Sequence, residues 1–169
     1  MSTVIGYRKP WPGTQPDYLF PPYASTVKRA PTRPLVPLLP KDALGRARVR
    51  SLSLLIACEI HPINNLRVLQ HLKRELGQSE DQVNAWYRHW IADGLARFEA
   101  DLAGGGTVGR FCYGDAPSMA DCCLVPQIFN AQRFQCDTAA YPLTMRVFAE
   151  CMALDAFARA QPSTQPDAE

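Results

Sequence analysis

The sequence lacks the short motifs that identify many enzymes. It contains no H-E-x-x-H motif, no G-x-S-x-G motif and no pair of cysteines spaced C-x-x-C. The residues alone therefore reveal neither a serine nucleophile with its base nor a framework of metal ligands. We predict no catalytic nucleophile and no metal site in this chain.

An excess of charge and long apolar runs are also missing. Lysine and arginine number 18 against 16 acidic residues, and a net charge of +2 gives no field that would favour nucleic acid or an anionic membrane. The start, "MSTVIGYRKPWPG", has no apolar signal-peptide core, and "LSLLIACEI" falls short of the roughly 20 residues that span a bilayer. We expect a soluble, cytoplasmic protein with neither nucleic acid nor a membrane as its partner.

The chain contains six cysteines, and their spacing helps to distinguish reduced thiols from a disulfide or zinc framework. The cysteines are Cys58, Cys112, Cys122, Cys123, Cys136 and Cys151. Several of them lie among apolar residues, as small buried side chains do, and their spacing fits no zinc motif. We favour reduced thiols over a disulfide or zinc framework.

Proline divides the chain into two parts. Residues 1–40 hold nine of the 15 prolines, and proline removes a backbone donor and fixes φ, so neither a helix nor a central strand is expected there. We predict a disordered, Pro-rich leader over residues 1–34, with no recognisable domain, and a folded domain over 35–169. The three P-x-x-P repeats between Pro31 and Pro40 leave open a ligand for an aromatic groove, but composition favours a passive leader.

After residue 40 the apolar periodicity is helical. Six segments show helical periodicity, so we predict an all-α bundle. In the first segment we expect one buried face, formed by Leu44, Ala47, Leu52, Leu55 and Ile56. This helix is expected to end at His61, because Pro62 disfavours α geometry in the residue before it.

Two capping boxes predict where later helices begin. Ser79 and Gln82 precede the longest amphipathic pattern, and Ser118 and Asp121 precede an apolar one. Asp121 is therefore interpreted as a structural residue. His89 lies within the longest helical pattern, in "WYRHW", and is interpreted as a packed or interfacial imidazole.

Three segments of the predicted bundle resemble one family. "IHPINNLRVL" and "CCLVPQIFNAQRF", with the ending from "YPLTMRVFAECM", are similar to the C-terminal domain of zeta-class glutathione transferases, the maleylacetoacetate and maleylpyruvate isomerases. The similarity covers roughly residues 35–169. It implies a helical bundle that normally follows a thioredoxin-like domain and forms a homodimer. No thioredoxin-like sequence occurs before residue 35, so we expect a truncated member or one with a replaced start.

The resemblance also implies a site. By position it makes His61, Asn65, Leu66 and Arg67 neighbours of the cofactor glutathione, and Arg67 and Arg133 contacts of a dicarboxylate keto-acid substrate. A guanidinium grips a carboxylate through two charge-assisted hydrogen bonds, which suits such an acid. In this family the nucleophile is the glutathione thiolate, which adds reversibly to a cis double bond, so the chain itself needs none.

Polar residues in "HPINNLRVLQHL" also have a purely structural interpretation. Pro62 would kink a helix, and Asn64 and Asn65 would cap the freed backbone groups, whatever the function. For Arg133 the structural alternative is a surface ion pair. Two functional hypotheses follow: a glutathione-dependent cis–trans isomerase of aromatic amino-acid and aromatic-acid catabolism, or a non-catalytic helical module for binding or dimerisation.

Overall fold

The computed structural model describes residues 37–165. Within this range the chain forms six α-helices and no strand: α1 Ala43–Leu54, α2 Leu66–Arg74, α3 Glu80–Gly104, α4 Met119–Arg133, α5 Pro142–Met152 and α6 Asp155–Arg159. A π-helical segment, Leu55–Ile60, extends α1, and a short 3-10 helix covers Pro162–Thr164. The prediction of an all-α bundle is confirmed. The predicted leader, residues 1–34, lies outside the described residues.

The core forms between α3 and the helices that pack around it. Helix α3 buries one stripe at three- to four-residue spacing, as a helix with one core-facing side must; the stripe is Val83, Tyr87, Ile91, Leu95, Phe98 and Leu102. Helices α1 and α5 each pack against α4, and α5 also packs against α3. No helix among residues 37–165 is both long and apolar enough to cross a membrane.

The prediction of which face of α1 is buried is partly wrong. Leu52 and Ile56 are buried, but Leu44 is 84% exposed and Ala47 is exposed. The buried stripe instead starts at Gly45 and Val49. Leu44 lies next to Gly45 in sequence, about 100° around the helix from the stripe, so its apolar character did not indicate its direction.

The helical stretch ends at His61, as predicted, but for a different reason. His61 keeps helical angles (φ −62°, ψ −43°), although a proline follows it. Instead, the chain widens into the π-helical segment, where the His61 amide donates to the carbonyl of Ile56 at 2.9 Å. Pro62 then lacks the amide that would continue the ladder, so the helix ends through the missing donor.

The π-helical segment approaches α3 closely at Gly94. A β-carbon added at Gly94 would lie 2.3 Å from Cγ1 of Ile60, far inside van der Waals contact. Ile60 is 1% exposed. A glycine at this position therefore lets the segment that precedes Pro62 pack directly on α3.

Both predicted capping boxes are present, in very different surroundings. Ser79 and Gln82 cap α3 at the surface, with the Ser79 amide donating to Gln82 Oε1 at 2.8 Å. Ser118 and Asp121 cap α4 in the interior, and Asp121 is fully buried. Its carboxylate accepts from the amide and the hydroxyl of Ser118, both at 2.7 Å, and from the amide of Cys112 at 2.9 Å. The structural interpretation of Asp121 is therefore supported by three hydrogen bonds.

We predict that the two boxes differ in their contribution to stability. Asp121→Ala strands two buried amides and should lower the free energy of unfolding by about 3 kcal/mol or more. Gln82→Ala removes one exposed hydrogen bond and should cost about 1 kcal/mol or less. Urea denaturation of the two variants measures the difference. Equal losses would contradict the importance of burial at Asp121.

Candidate functional site

The four residues predicted to lie beside glutathione come from one turn and the helix that follows it. His61 ends the π-helical segment, and Asn65 is the N-cap of α2. The Asn65 side chain accepts from the Arg67 amide at 3.2 Å, so the predicted capping role of Asn65 is confirmed. Leu66 is 66% exposed, and Arg67 and His61 are exposed as well.

Asn64 does not cap its own helix, contrary to the structural interpretation. It is 8% exposed, and its Nδ2 donates to the backbone carbonyl of Tyr87 in α3 at 3.2 Å. Its Oδ1 is buried and has no hydrogen-bond partner within the described residues. Nearby, Trp86 Nε1 donates to the carbonyl of Ile63 at 3.3 Å. The turn is therefore attached to α3 by two hydrogen bonds from neighbouring positions.

Arg133 lies on a different element, at the last position of α4. Its side chain is exposed, and its Cζ lies 6.0 Å from the centroid of the Phe134 ring, a cation–π contact at the limit of range. Neither Arg133 nor Arg67 forms an ion pair with a carboxylate among residues 37–165. The alternative of a surface ion pair for Arg133 is therefore not observed in the described part of the chain.

Tyr87 contacts both parts of the predicted site. Its backbone carbonyl holds Asn64, and its ring stacks on Phe134 with centroids 3.6 Å apart and an interplanar angle of 15°. Burial raises the pKa of the Tyr87 hydroxyl, the Cys136 thiol raises this pKa further, and the Arg133 charge lowers it. Sequence reasoning missed Tyr87 and Phe134. The one available signal was a tyrosine at core spacing, four residues after Val83 and four before Ile91.

A large apolar pocket lies away from these residues. It is an apolar groove of about 610 Å³ between α4 and the C-terminal helices, and its lining includes Leu38, Val125, Phe129, Phe148 and Phe157. We call it the α4 groove. None of the predicted site residues lines it, and no charged side chain does. A dicarboxylate would find no partner there, so the α4 groove offers apolar contact only.

A glycine-rich segment and the metal-ligating side chains were also compared with the requirements of cofactor and metal sites. Residues 104–109, "GGGTVG", have the spacing G-x-G-x-x-G, but they follow α3 and do not open a helix, so the context of a dinucleotide loop is missing. No group of three His, Cys, Asp or Glu side chains among residues 37–165 is placed to hold a metal ion.

The cysteines are free thiols, in agreement with the prediction. Burial is the main cause of a raised pKa at both Cys112 and Cys151, and the neighbouring Asp121 charge adds to it at both. The pKa of Cys151 rises to about 12. These two thiols stay protonated at neutral pH and do not provide a nucleophile.

The chain is similar to several proteins of known sequence or structure. The chain is 50% identical over 134 residues to the maleylpyruvate isomerase of Ralstonia sp, a match that covers 79% of this chain and 63% of the relative. A holo structure of maleylpyruvate isomerase, described as a bacterial zeta-class glutathione transferase, is 46% identical, with a TM-score of 0.77 over 86% of this chain and 68% of the other. The maleylacetoacetate isomerase of Methylobacterium extorquens AM1, solved with bound malonate and glutathione, is 40% identical, with a TM-score of 0.78 over 89% of this chain and 71% of the other.

The chain belongs to the zeta-class glutathione transferase family. The resemblance noted in the sequence is therefore confirmed at the level of the family. The chain spans 63% of the length of the curated Ralstonia relative. Residues 7–41 match a different family model, described as the N terminal of the protocatechuate 3,4-dioxygenase beta subunit.

The raised thiol pKa values lead to a prediction about cysteine reactivity. At pH 8, iodoacetamide should modify the exposed Cys58 first and leave Cys112 and Cys151 unmodified, because a pKa of about 12 leaves roughly one thiol in 10,000 ionised. Peptide mass spectrometry of native and urea-unfolded samples measures this order.

The same shifts predict how stability depends on pH. An unfolded chain loses thiol protons as the pH rises past the ordinary cysteine value of 9.0, whereas folded Cys112 and Cys151 keep theirs. The free energy of unfolding should therefore fall above pH 9. Modification of Cys112 at the rate of Cys58 in the native chain would contradict this account.

Proposed function

We propose that this chain provides the helical part of a glutathione-dependent cis–trans isomerase that acts on a maleyl keto-acid such as maleylpyruvate or maleylacetoacetate. The observation that carries the proposal is the pair of exposed arginines, Arg67 and Arg133, which have no carboxylate partner among the described residues and lie on two elements that α3 holds. We further propose that the protein works in the cytoplasm as a homodimer.

The turn at the start of α2 suits glutathione. Glutathione carries two carboxylates and peptide groups, and this turn presents the exposed imidazole of His61, the amide of Asn65 and the guanidinium of Arg67. When bound, glutathione supplies a thiol that adds reversibly to an activated double bond. The turn's role is to bind and orient that cofactor.

The arginines account for recognition of the acid. A guanidinium forms two parallel hydrogen bonds with a carboxylate, which fixes both the position and the plane of a flexible dianion. During isomerisation, negative charge develops on the carbonyl oxygen conjugated to the double bond, and a fixed cation nearby stabilises it. We assign Arg67 to both cofactor and substrate, and Arg133 to the substrate. The relative from M. extorquens was solved with both malonate and glutathione bound, which supports a dicarboxylate ligand in this family.

A non-catalytic helical module is the second candidate. The observation in its favour is the α4 groove, an apolar surface that none of the predicted site residues lines. The two functions differ in one property that can be measured, which is isomerisation when the thioredoxin-like part is supplied.

We predict that both arginines are required for this reaction. A chimera would join the thioredoxin-like domain of the Ralstonia enzyme to residues 35–169 and should isomerise maleylpyruvate with glutathione. Arg67→Ala or Arg133→Ala should each lower kcat/KM by about 30- to 1000-fold, or about 2–4 kcal/mol, because each removes a fixed charge from the site. Lysine at either position should restore part of the lost kcat/KM, since it keeps the positive charge but lacks the planar guanidinium that binds a carboxylate through two hydrogen bonds.

The matched control is Arg159→Ala. Arg159 lies on α6, is 76% exposed and pairs with Asp155, so its loss should leave the rate unchanged. A folded chimera that binds glutathione and isomerises equally fast with alanine at positions 67 and 133 would contradict the assignment of both arginines. A folded chimera without isomerase activity would favour the helical module.

We also predict that the 169-residue chain associates with itself. The α4 groove and the exposed Phe129 and Leu38 present apolar surface to water, which favours contact between copies. Sedimentation velocity at micromolar concentration should show a dimer. Phe129→Asp, which puts a charge into the α4 groove, should shift the chain towards the monomer if that groove contributes to the contact. A monomeric unsubstituted chain would contradict the homodimer.

A further inference from the structure

Three consecutive residues of α3 hold the two separate parts of the proposed site. Trp86 donates from Nε1 to the carbonyl of Ile63, and the carbonyl of Tyr87 accepts from the side chain of Asn64. Both contacts hold the turn just before the N-cap of α2. Because Arg67 lies in the first turn of α2, these two contacts with α3 fix the position of the Arg67 backbone.

Tyr87 and the next residue, Arg88, also hold the C-terminal end of α4. The Tyr87 ring stacks on Phe134 at 3.6 Å, and Arg88 Nε donates to the Phe134 carbonyl at 2.9 Å. Phe134 is the C-cap of α4 and the neighbour of Arg133. A helix end normally frays because its last carbonyls lack partners, but here an aromatic stack and a hydrogen bond restrain it.

The guanidinium of Arg133 belongs to the same arrangement. Its Cζ lies 6.0 Å from the centroid of Phe134, whose ring lies nearly parallel to that of Tyr87. Tyr87 is 5% exposed, so its ring has little freedom to move. Phe134 is therefore held on one side by a buried ring and contacts the arginine that we assign to the substrate.

We propose that Tyr87 is a positioning residue for the isomerase site: it fixes Phe134, and through it Arg133, relative to the turn that carries Asn65 and Arg67. This inference rests on the proposed function for its consequence in binding, but its geometric part concerns this chain alone. A buried tyrosine that only filled the core would stabilise the fold without influencing the order of an exposed arginine. The proposal requires that it does both.

The geometric part can be tested on the full 169-residue chain by NMR with ¹⁵N-labelled arginine. Arg133→Ala identifies the Nε–H signal of Arg133 by its loss. In the unsubstituted chain this signal should show restricted motion and a ring-current shift. Tyr87→Leu should return it towards the value of a free arginine, whereas Tyr87→Phe, which keeps the stack, should preserve it. Ile91→Val, one turn further along the same core stripe, is the control and should leave it unchanged.

The consequence in binding is measured by titration with malonate in the presence of glutathione. Misplacing a fixed group by about 1 Å can cost up to 100-fold, and we expect Tyr87→Leu to weaken malonate binding by about tenfold. In an Arg133→Ala background, Tyr87→Leu should cause no further loss, because the two residues act on one contact. A loss of equal size in both backgrounds would overturn the proposal.

Two further outcomes separate this inference from the proposed function. If neither the unsubstituted chain nor the chimera binds malonate, the substrate assignment fails, and the Arg133 signal alone decides whether Tyr87 positions the arginine. If that signal is the same in Tyr87→Leu, the inference is wrong even where malonate binds. Should Tyr87→Leu fail to fold, the half-buried Phe134→Leu replaces it, since it removes the same stack from the other side and should return the Arg133 signal towards that of a free arginine.

Discussion

The stack of Tyr87 on Phe134 is the contact on which the geometry of the site depends, because it joins parts of the chain that are far apart in sequence. Phe134 ends α4, and the carbonyl of Tyr87 holds the turn before α2. Exposed arginines have many rotamers, so their use in recognition depends on how firmly their backbone is held. Here both backbone segments are held by one turn of α3, and α3 is itself fixed by its buried stripe.

Helix α4 is restrained at both ends by different means. At its start, the buried carboxylate of Asp121 satisfies two amides and a hydroxyl, and a buried charge is tolerated only when it has such partners. At its end, Phe134 is stacked and its carbonyl is satisfied by Arg88. A helix fixed at both ends cannot shift along its axis, so Arg133 keeps its place relative to the core. The structural role of Asp121 and the proposed role of Arg133 are thus linked through α4.

The sequence was most informative where local chemistry decides the structure. Ser79 and Ser118 predicted helix starts because a capping box satisfies amides within four residues of chain. It was least informative about the direction of side chains and about distant contacts. Leu44 is apolar yet 84% exposed, and the close approach of Ile60 to Gly94 joins two segments that no local pattern pairs. The family resemblance pointed to the arginines. The Tyr87–Phe134 stack joins residues far apart in sequence, and no local pattern encodes such a pairing.

Water is the remaining determinant of what the arginines can do. A guanidinium that faces solvent gains little from a carboxylate, whereas the same pair in a site that excludes water is worth several times more. Arg67 and Arg133 are both exposed on the described surface. The several kcal/mol of transition-state stabilisation that we assign to them therefore requires that water be excluded from both side chains when glutathione is bound. The helical part fixes the positions of the two guanidinium groups. The exclusion of water determines how strongly they interact with a carboxylate. On this view binding of the acid and catalysis are separable properties, so weak binding of a dicarboxylate can persist in a chain that does not turn over its substrate.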